Sequence, residues 1–201
     1  VQLNDALLKN ANIIVELSDT VPPDTTPSEN FWKINLDKLK LQNSALAVHM
    51  PGDSLSVKTI FTNALATQAY FDLYKGLYTV RRIDWGNGGL QYDRNFEPTI
   101  RGFDYNHLSL SDLSIKADSF YYCDSRIDLK VREATFREKS GLAIDSLRGH
   151  FMMDSLRLSL PYLWFTTPTS QVRMNMGMDL NAFDDIRPGV FEMEMHGAIG
   201  R

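Results

Sequence analysis

Apolar and polar residues alternate along most of this chain, and the alternation breaks at recurring points. Ile83 and Trp85 alternate with Asp84, and Leu90 and Tyr92 alternate with Gln91. Gly86-Asn87-Gly88-Gly89 lies between them and shifts the phase by one residue. Side chains along a strand point to opposite faces with period two. Two short amphipathic strands are therefore expected on either side of a turn or corner. Asn-Gly and Gly-Gly supply the positive φ angles that such a corner uses.

The same pattern recurs. Leu39, Leu41, Asn43, Leu46 and Val48 match Ile83, Trp85, Asn87, Leu90 and Tyr92 position for position. Ala6, Leu8, Asn10, Ile13 and Val15 match them again. Leu113, Ile115, Ala117, Phe120 and Tyr122 keep the spacing with Ala in place of Asn. Two looser copies follow, Ala134, Phe136, Glu138, Leu142 and Ile144, then Leu156, Leu158, Leu160, Leu163 and Phe165. The second positions, 8, 41, 85, 115, 136 and 158, are spaced by 33, 44, 30, 21 and 22 residues. Such irregular steps exclude a solenoid of fixed coil length but fit an array whose units stack to bury their apolar faces.

Between these copies, residues 18–30 carry three prolines and many small polar residues and read as an exposed loop. Residues 54–74 fit strands or a short helix over 59–68, and residues 6–12 admit a helical reading beside the strand one. Two strands are expected within 103–122, split near Asp118, and breaks at Asp154-Ser155 and at Pro161. Val172, Met174, Met176, Met178 and Leu180 form the cleanest alternation, ahead of a loop at 181–189. Nearly every segment is a strand with one apolar face, and few helices are available to cover that face. The expected fold is all-β: an elongated, curved, antiparallel or solenoid-like sheet whose apolar faces meet each other or line a groove.

Composition narrows the chemistry. The chain has 201 residues, 43% of them hydrophobic, with 21 basic and 25 acidic residues giving a net charge of −4. The charges are mixed along the chain, and no basic cluster points to nucleic acid. The single Cys123 allows no internal disulfide. The chain reads as a fragment of a longer array, a single unit over 1–201, and no apolar run of membrane-spanning length occurs in it. His49, His107, His150 and His196 lack metal-ligand spacing, so no metal or cofactor is expected. Gly86-Asn87-Gly88-Gly89 lacks the Lys-Ser/Thr of a phosphate loop. Asp84, Asp93, Asp104, Asp128, Asp145 and Asp154 lie at strand ends, where Asp commonly terminates pairing.

The repeated unit, apolar-x-apolar-x-Asn-small-x-apolar-x-apolar, resembles the AsmA-like family, most closely its TamB (translocation and assembly module) type. It is clearest in Leu39 to Met50, Ile83 to Asp93 and Leu113 to Phe165. The resemblance implies a periplasmic, non-enzymatic protein anchored in the inner membrane. Its sheet would fold into an apolar trough, a β-taco. It would support outer-membrane biogenesis by passing lipid acyl chains between membranes, or by assembling outer-membrane proteins with a barrel partner of the TamA type.

On this reading the candidate groove lining is Leu39, Leu41, Leu46, Val48, Ile83, Trp85, Leu90, Tyr92, Leu113, Ile115, Phe120 and Tyr122. Two other readings compete. One is a carbohydrate-binding or adhesive β-sandwich using Trp32, Trp85, Trp164, Tyr92, Tyr121 and Tyr122 as stacking surfaces. The other is a glycan-processing enzyme built on the scattered aspartates.

Overall fold

The structure, a computed structural model, describes residues 1–16, 32–50, 54–123, 126–180 and 191–199. Among these, strands account for almost everything and there is no helix. The strands are β1 (Gln2–Lys9), β2 (Asn12–Glu16), β3 (Lys33–Met50), β4 (Leu55–Asp72), β5 (Leu77–Arg94), β6 (His107–Cys123), β7 (Arg126–Glu138), β8 (Ala143–Met153), β9 (Arg157–Thr166), β10 (Ser170–Asp179) and β11 (Phe191–Ile199). All belong to one open, curved sheet in the order β1-β3-β4-β5-β6-β7-β8-β9-β10-β11, with β2 also paired to β3. β1 and β2 run parallel to β3, and every later pair is antiparallel.

The phase breaks are corners, inside the long strands β3 and β5 and between β1 and β2. Asn10, Asn43 and Asn87 have φ of 54°, 46° and 52°. Asn tolerates this left-handed conformation better than most residues. One such residue turns the strand and moves the alternation by one position, so Leu41 and Leu46 point to the same face. Asn43 and Asn87 flank Thr62 by register, and pairing continues beyond it as Ser44↔Phe61 and Ile60↔Gly89. Asp112 (φ 50°) extends this line of corners into β6. A second line crosses β4 at Gln68, φ 51°. There Leu36, Ala69 and Val80 on one side pack with Leu39, Ala66 and Ile83 on the other.

Several expectations are thereby decided, and some are corrected. Gly86-Asn87-Gly88-Gly89 is a corner, but it bends the single 18-residue strand β5 where two short strands were expected. Residues 54–74 hold one strand, β4, and no helix; residues 6–12 are strand on either side of Asn10. β6 passes Asp118 unbroken. The break at Asp154-Ser155 is present, but Pro161 sits inside β9, in a stretch where pairing to both neighbours shifts register. Proline lacks the N–H a ladder needs, and a bulge is where a strand tolerates it. The connections at 18–30, 51–53 and 181–189 lie outside the described residues.

Candidate functional site

Paired residues on neighbouring strands share a face, so register turns the sequence into rows. One row runs Leu8, Leu41, Ala64, Trp85, Ile115, Ala134, Leu147, Phe165, Val172, with one apolar residue on each strand it crosses. At about 4.8 Å per strand it spans about 40 Å. The row beside it is Ala6, Leu39, Ala66, Ile83, Ala117, Val131, Gly149, Leu163 and Met174. Beyond the second line of corners come Leu36, Ala69, Val80, Phe120, Leu129 and Phe151. Next to these is an aromatic-rich row, Phe71, Tyr78, Tyr122 and Ile127. Tyr78 and Tyr122 are in ring contact at 5.8 Å between centroids.

All twelve lining candidates fall on this apolar face. Leu46, Val48, Leu90 and Tyr92 lie across the Asn43–Asn87 corner from Leu41 and Trp85. Phe61, from the same side of the corner as Leu90, meets Trp85 at 4.8 Å between ring centroids, which joins the two stretches. Trp85 donates its indole N–H to the Ile60 carbonyl at 3.2 Å. Its ring then occupies the space a side chain at Gly88 would need. Leu113, paired to Gly88, is buried, while the other eleven candidates are half-buried.

In a single-layer sheet a side chain is buried by neighbours on its own face. Leu36, Ala69, Val80, Leu113, Ala117, Ala134 and Ile144 are buried on this one. The candidate lining left out Ala64, Ala66 and the β8–β10 part of the face, although apolar alternation was read over Leu156 to Phe165 and Val172 to Leu180. The alanines carry little hydrophobic emphasis, and the later strands needed a register that the sequence does not reveal.

The opposite face is charged. Its matching row is Leu7, Lys40, Leu65, Asp84, Lys116 and Glu133. Arg82 pairs with Asp84 at 3.0 Å, Arg132 with Asp118 at 3.1 Å, and Lys116 with Glu133 at 2.8 Å. The Lys116 hydrogen bond and charge hold Glu133 below its usual carboxylate range. An open depression of about 600 Å³, lined by residues including Lys40, Gln42, Asp84 and Lys116, lies on this face.

The titratable residues singled out in the sequence, and buried Asp72 with them, serve the strands and turns. The Ile100 amide has the largest hold on the Asp104 carboxyl and lowers it against burial; at Asp72 burial pushes up most strongly, but the bonds together win. Asp104 accepts from the Ile100 and Asn106 amides, Asp72 from the Lys75 amide and Tyr70 hydroxyl with Lys33 at 3.5 Å, and both stay below the usual range. Burial likewise opposes, and the Ser140 and Ser109 contacts outweigh it, at Glu138, which is also lowered. His107 contacts Asp93 at 3.1 Å through Nδ1 and the Glu97 carbonyl at 2.8 Å through Nε2. His150 meets Asp128 at 2.7 Å, Asp145 pairs with Arg137, and Asp154 accepts from the Leu156 and Arg157 amides. Among the described residues no three metal-ligating side chains converge. The aromatic candidates divide, with Trp85, Tyr92 and Tyr122 on the apolar face and Trp164 and Tyr121 on the other.

No protein-family model matches the chain, and no curated protein sequence or solved structure matches it.

Proposed function

We propose that this chain is part of a non-enzymatic scaffold or conduit of the AsmA-like type, whose apolar face carries lipid acyl chains in support of outer-membrane biogenesis. The observation that carries the reading is the unbroken apolar row from Leu8 to Val172, backed by no second layer among the described residues. Exposed apolar surface on this scale calls for an apolar occupant. Binding would draw on about 25 cal/mol per Å² of surface removed from water. The reading includes the periplasm as the compartment, with an inner-membrane anchor in the full-length protein. It also includes a barrel protein of the TamA type as partner.

Trp85 and Trp164 lie on opposite faces, which gives a direct test. A lipid with brominated acyl chains, added to the purified chain, is expected to quench the tryptophan emission that Trp85→Phe removes. Trp164→Phe should leave that quenching in place. Quenching that disappears with Trp164→Phe instead, or none at all, overturns the reading. In a permeability assay on the full-length protein, Leu41→Asp should impair function more than Gln42→Asp.

A further inference from the structure

On the polar face, one row departs from its surroundings in charge balance. Arg148, Trp164, Arg173 and His196 stand opposite one another across β8, β9, β10 and β11. The Arg148 guanidinium lies 4.5 Å from the Trp164 ring centroid. Elsewhere on this face several cations are matched, Arg132 to Asp84 and Asp118, Arg137 to Asp145, Arg157 to Asp179 and Lys116 to Glu133, while the lysines without a partner among the described residues, such as Lys40, stand singly. Among the described residues neither Arg148 nor Arg173 has a carboxylate partner within ion-pair distance.

Both arginines line a single open depression of about 560 Å³, together with Tyr162, Trp164, Asn175, Glu194 and His196. Glu194 is already engaged by His196 at 3.0 Å. The Trp164 indole N–H is buried and without a hydrogen-bond partner. Buried donors normally have acceptors. Here two guanidinium forks share one row with that indole, and the one carboxylate beside them among the described residues, Glu194, is held by His196. The chain carries a net charge of −4, so its overall field does not explain a local cationic surplus.

We propose that this depression binds a phosphate-bearing ligand. Arg148 and Arg173 stand on strands two apart, so their backbones are about 10 Å from each other. Two forks approaching one anion from separate strands suit a tetrahedral phosphate. Its oxygens accept in several directions, whereas a carboxylate fits one fork in one plane. Trp164 forms the floor between the arginines, and Tyr162 offers an apolar surface to the part of the ligand next to the phosphate. The site lies on the face opposite the proposed acyl-chain surface, so either can fail without the other.

The experiment is titration calorimetry of the purified chain with inorganic phosphate and with glycerol 3-phosphate. Co-sedimentation with phosphatidylcholine vesicles, plain or containing phosphatidic acid, runs in parallel. Arg173→Gln breaks no contact seen in the fold and is the primary variant. It is expected to weaken phosphate binding about tenfold, as loss of a charge-assisted hydrogen bond does. Arg101→Gln, in an exposed loop, should not change it. Binding of the free phosphates points to a soluble phosphoester. Preference for phosphatidic acid vesicles alone points to a lipid headgroup. Either supports the site if Arg173→Gln weakens it. Equal affinity in Arg173→Gln and the unaltered chain overturns it, as does no binding to any of these probes.

Discussion

The sheet bends in two ways, and the region from β3 to β5 differs from that between β7 and β10. Where β3, β4 and β5 pair with one another the corners leave register intact, whereas β5 shifts against β6 at Asn87. Gln42↔Asn63 and Ser44↔Phe61 belong to one continuous antiparallel pairing across Asn43. Both partners turn at the same place, and left-handed residues at Asn43, Gln68 and Asn87 do the turning. In β7 to β10 the pairing shifts, between Val131 and Ala134, His150 and Met152, and Met174 and Met176. Among the described residues of these strands no side-chain-bearing residue has a positive φ. There the sheet curves by inserting a residue, as bulges do. Both devices keep one face apolar. The first stores conformational strain at fixed residues; the second spreads the adjustment over flexible pairs.

The largest expected effect follows from how tightly the first kind of corner is packed. A Cβ on Gly88 would run into the Trp85 indole and the Ile60 carbonyl, and the carbonyl is backbone that cannot swing aside. Gly88→Ala should cost about 1–3 kcal/mol of unfolding free energy, in the range of overpacked cores. At Gly149 in β8 the added carbon would meet Leu163 Cδ1 at 2.9 Å and the Tyr162 carbonyl at 3.1 Å. The end of the leucine side chain can swing away, so Gly149→Ala should cost less. Gly86, whose nearest neighbour would be 4.0 Å away, should accept Ala with little change. Urea denaturation orders the three variants, and equal losses at Gly88 and Gly149 would break the contrast between the regions.

A smaller effect separates the two devices directly. Asn87→Ala puts a less tolerant residue at φ 52° and should lose about 1 kcal/mol. Asn87→Gly should recover that loss, since glycine enters this conformation freely. Asn175, on β10 opposite the Pro161 bulge, has no left-handed backbone to strain. Asn175→Gly should therefore be no better than Asn175→Ala. A rescue by Gly at both sites would mean that the far strands also bend through strained residues.

These positions also show what the sequence could reveal. The copies at Leu8, Leu41 and Leu-equivalent Trp85 are true structural repeats. The 33-residue step is the parallel register Leu8↔Leu41, and the 44-residue step carries Leu41 through Ala64 to Trp85. The copy over Leu113 to Tyr122 is not equivalent. Ala117 stands opposite Ile83 and is buried, while the left-handed residue of β6 is Asp112. β6 runs against β5, so a motif with a direction cannot repeat there in phase. Glu138, placed in a corner by the repeat, closes the turn between β7 and β8 by accepting from the Ser140 amide. The apolar face was legible because period two needs only local sequence. The Arg148–Trp164–Arg173 row was not, because register between strands is set by bulges and turn lengths that leave no comparable periodic mark.

The smallest expected effect concerns the loop that closes the β5–β6 end of the well-registered region. Both ring nitrogens of His107 face acceptors, Asp93 and the Glu97 carbonyl, and only the imidazolium can donate to both. The hydrogen bond to Asp93 comes first among the causes that raise the His107 pKa; the Glu97 bond and the Asp104 charge add to it, against desolvation. A pKa raised on folding contributes stability that is complete below the unfolded value, about 6.5. That contribution is lost as pH rises through the folded value. The lowered carboxylates Asp72, Asp104 and Glu138 act in another window, contributing above the unfolded carboxylate value and losing it as pH falls. Hydrogen exchange can read the histidine locally, through the Arg94 amide bonded to Asn106 and the His107 amide bonded to Asp104. Their protection, corrected for intrinsic exchange and referenced to β9 and β10, should fall as pH rises through the histidine window. Asp93→Asn should flatten that slope and leave the acid-side loss in place. An unchanged slope in Asp93→Asn would remove His107 as the group that fastens this end of the sheet.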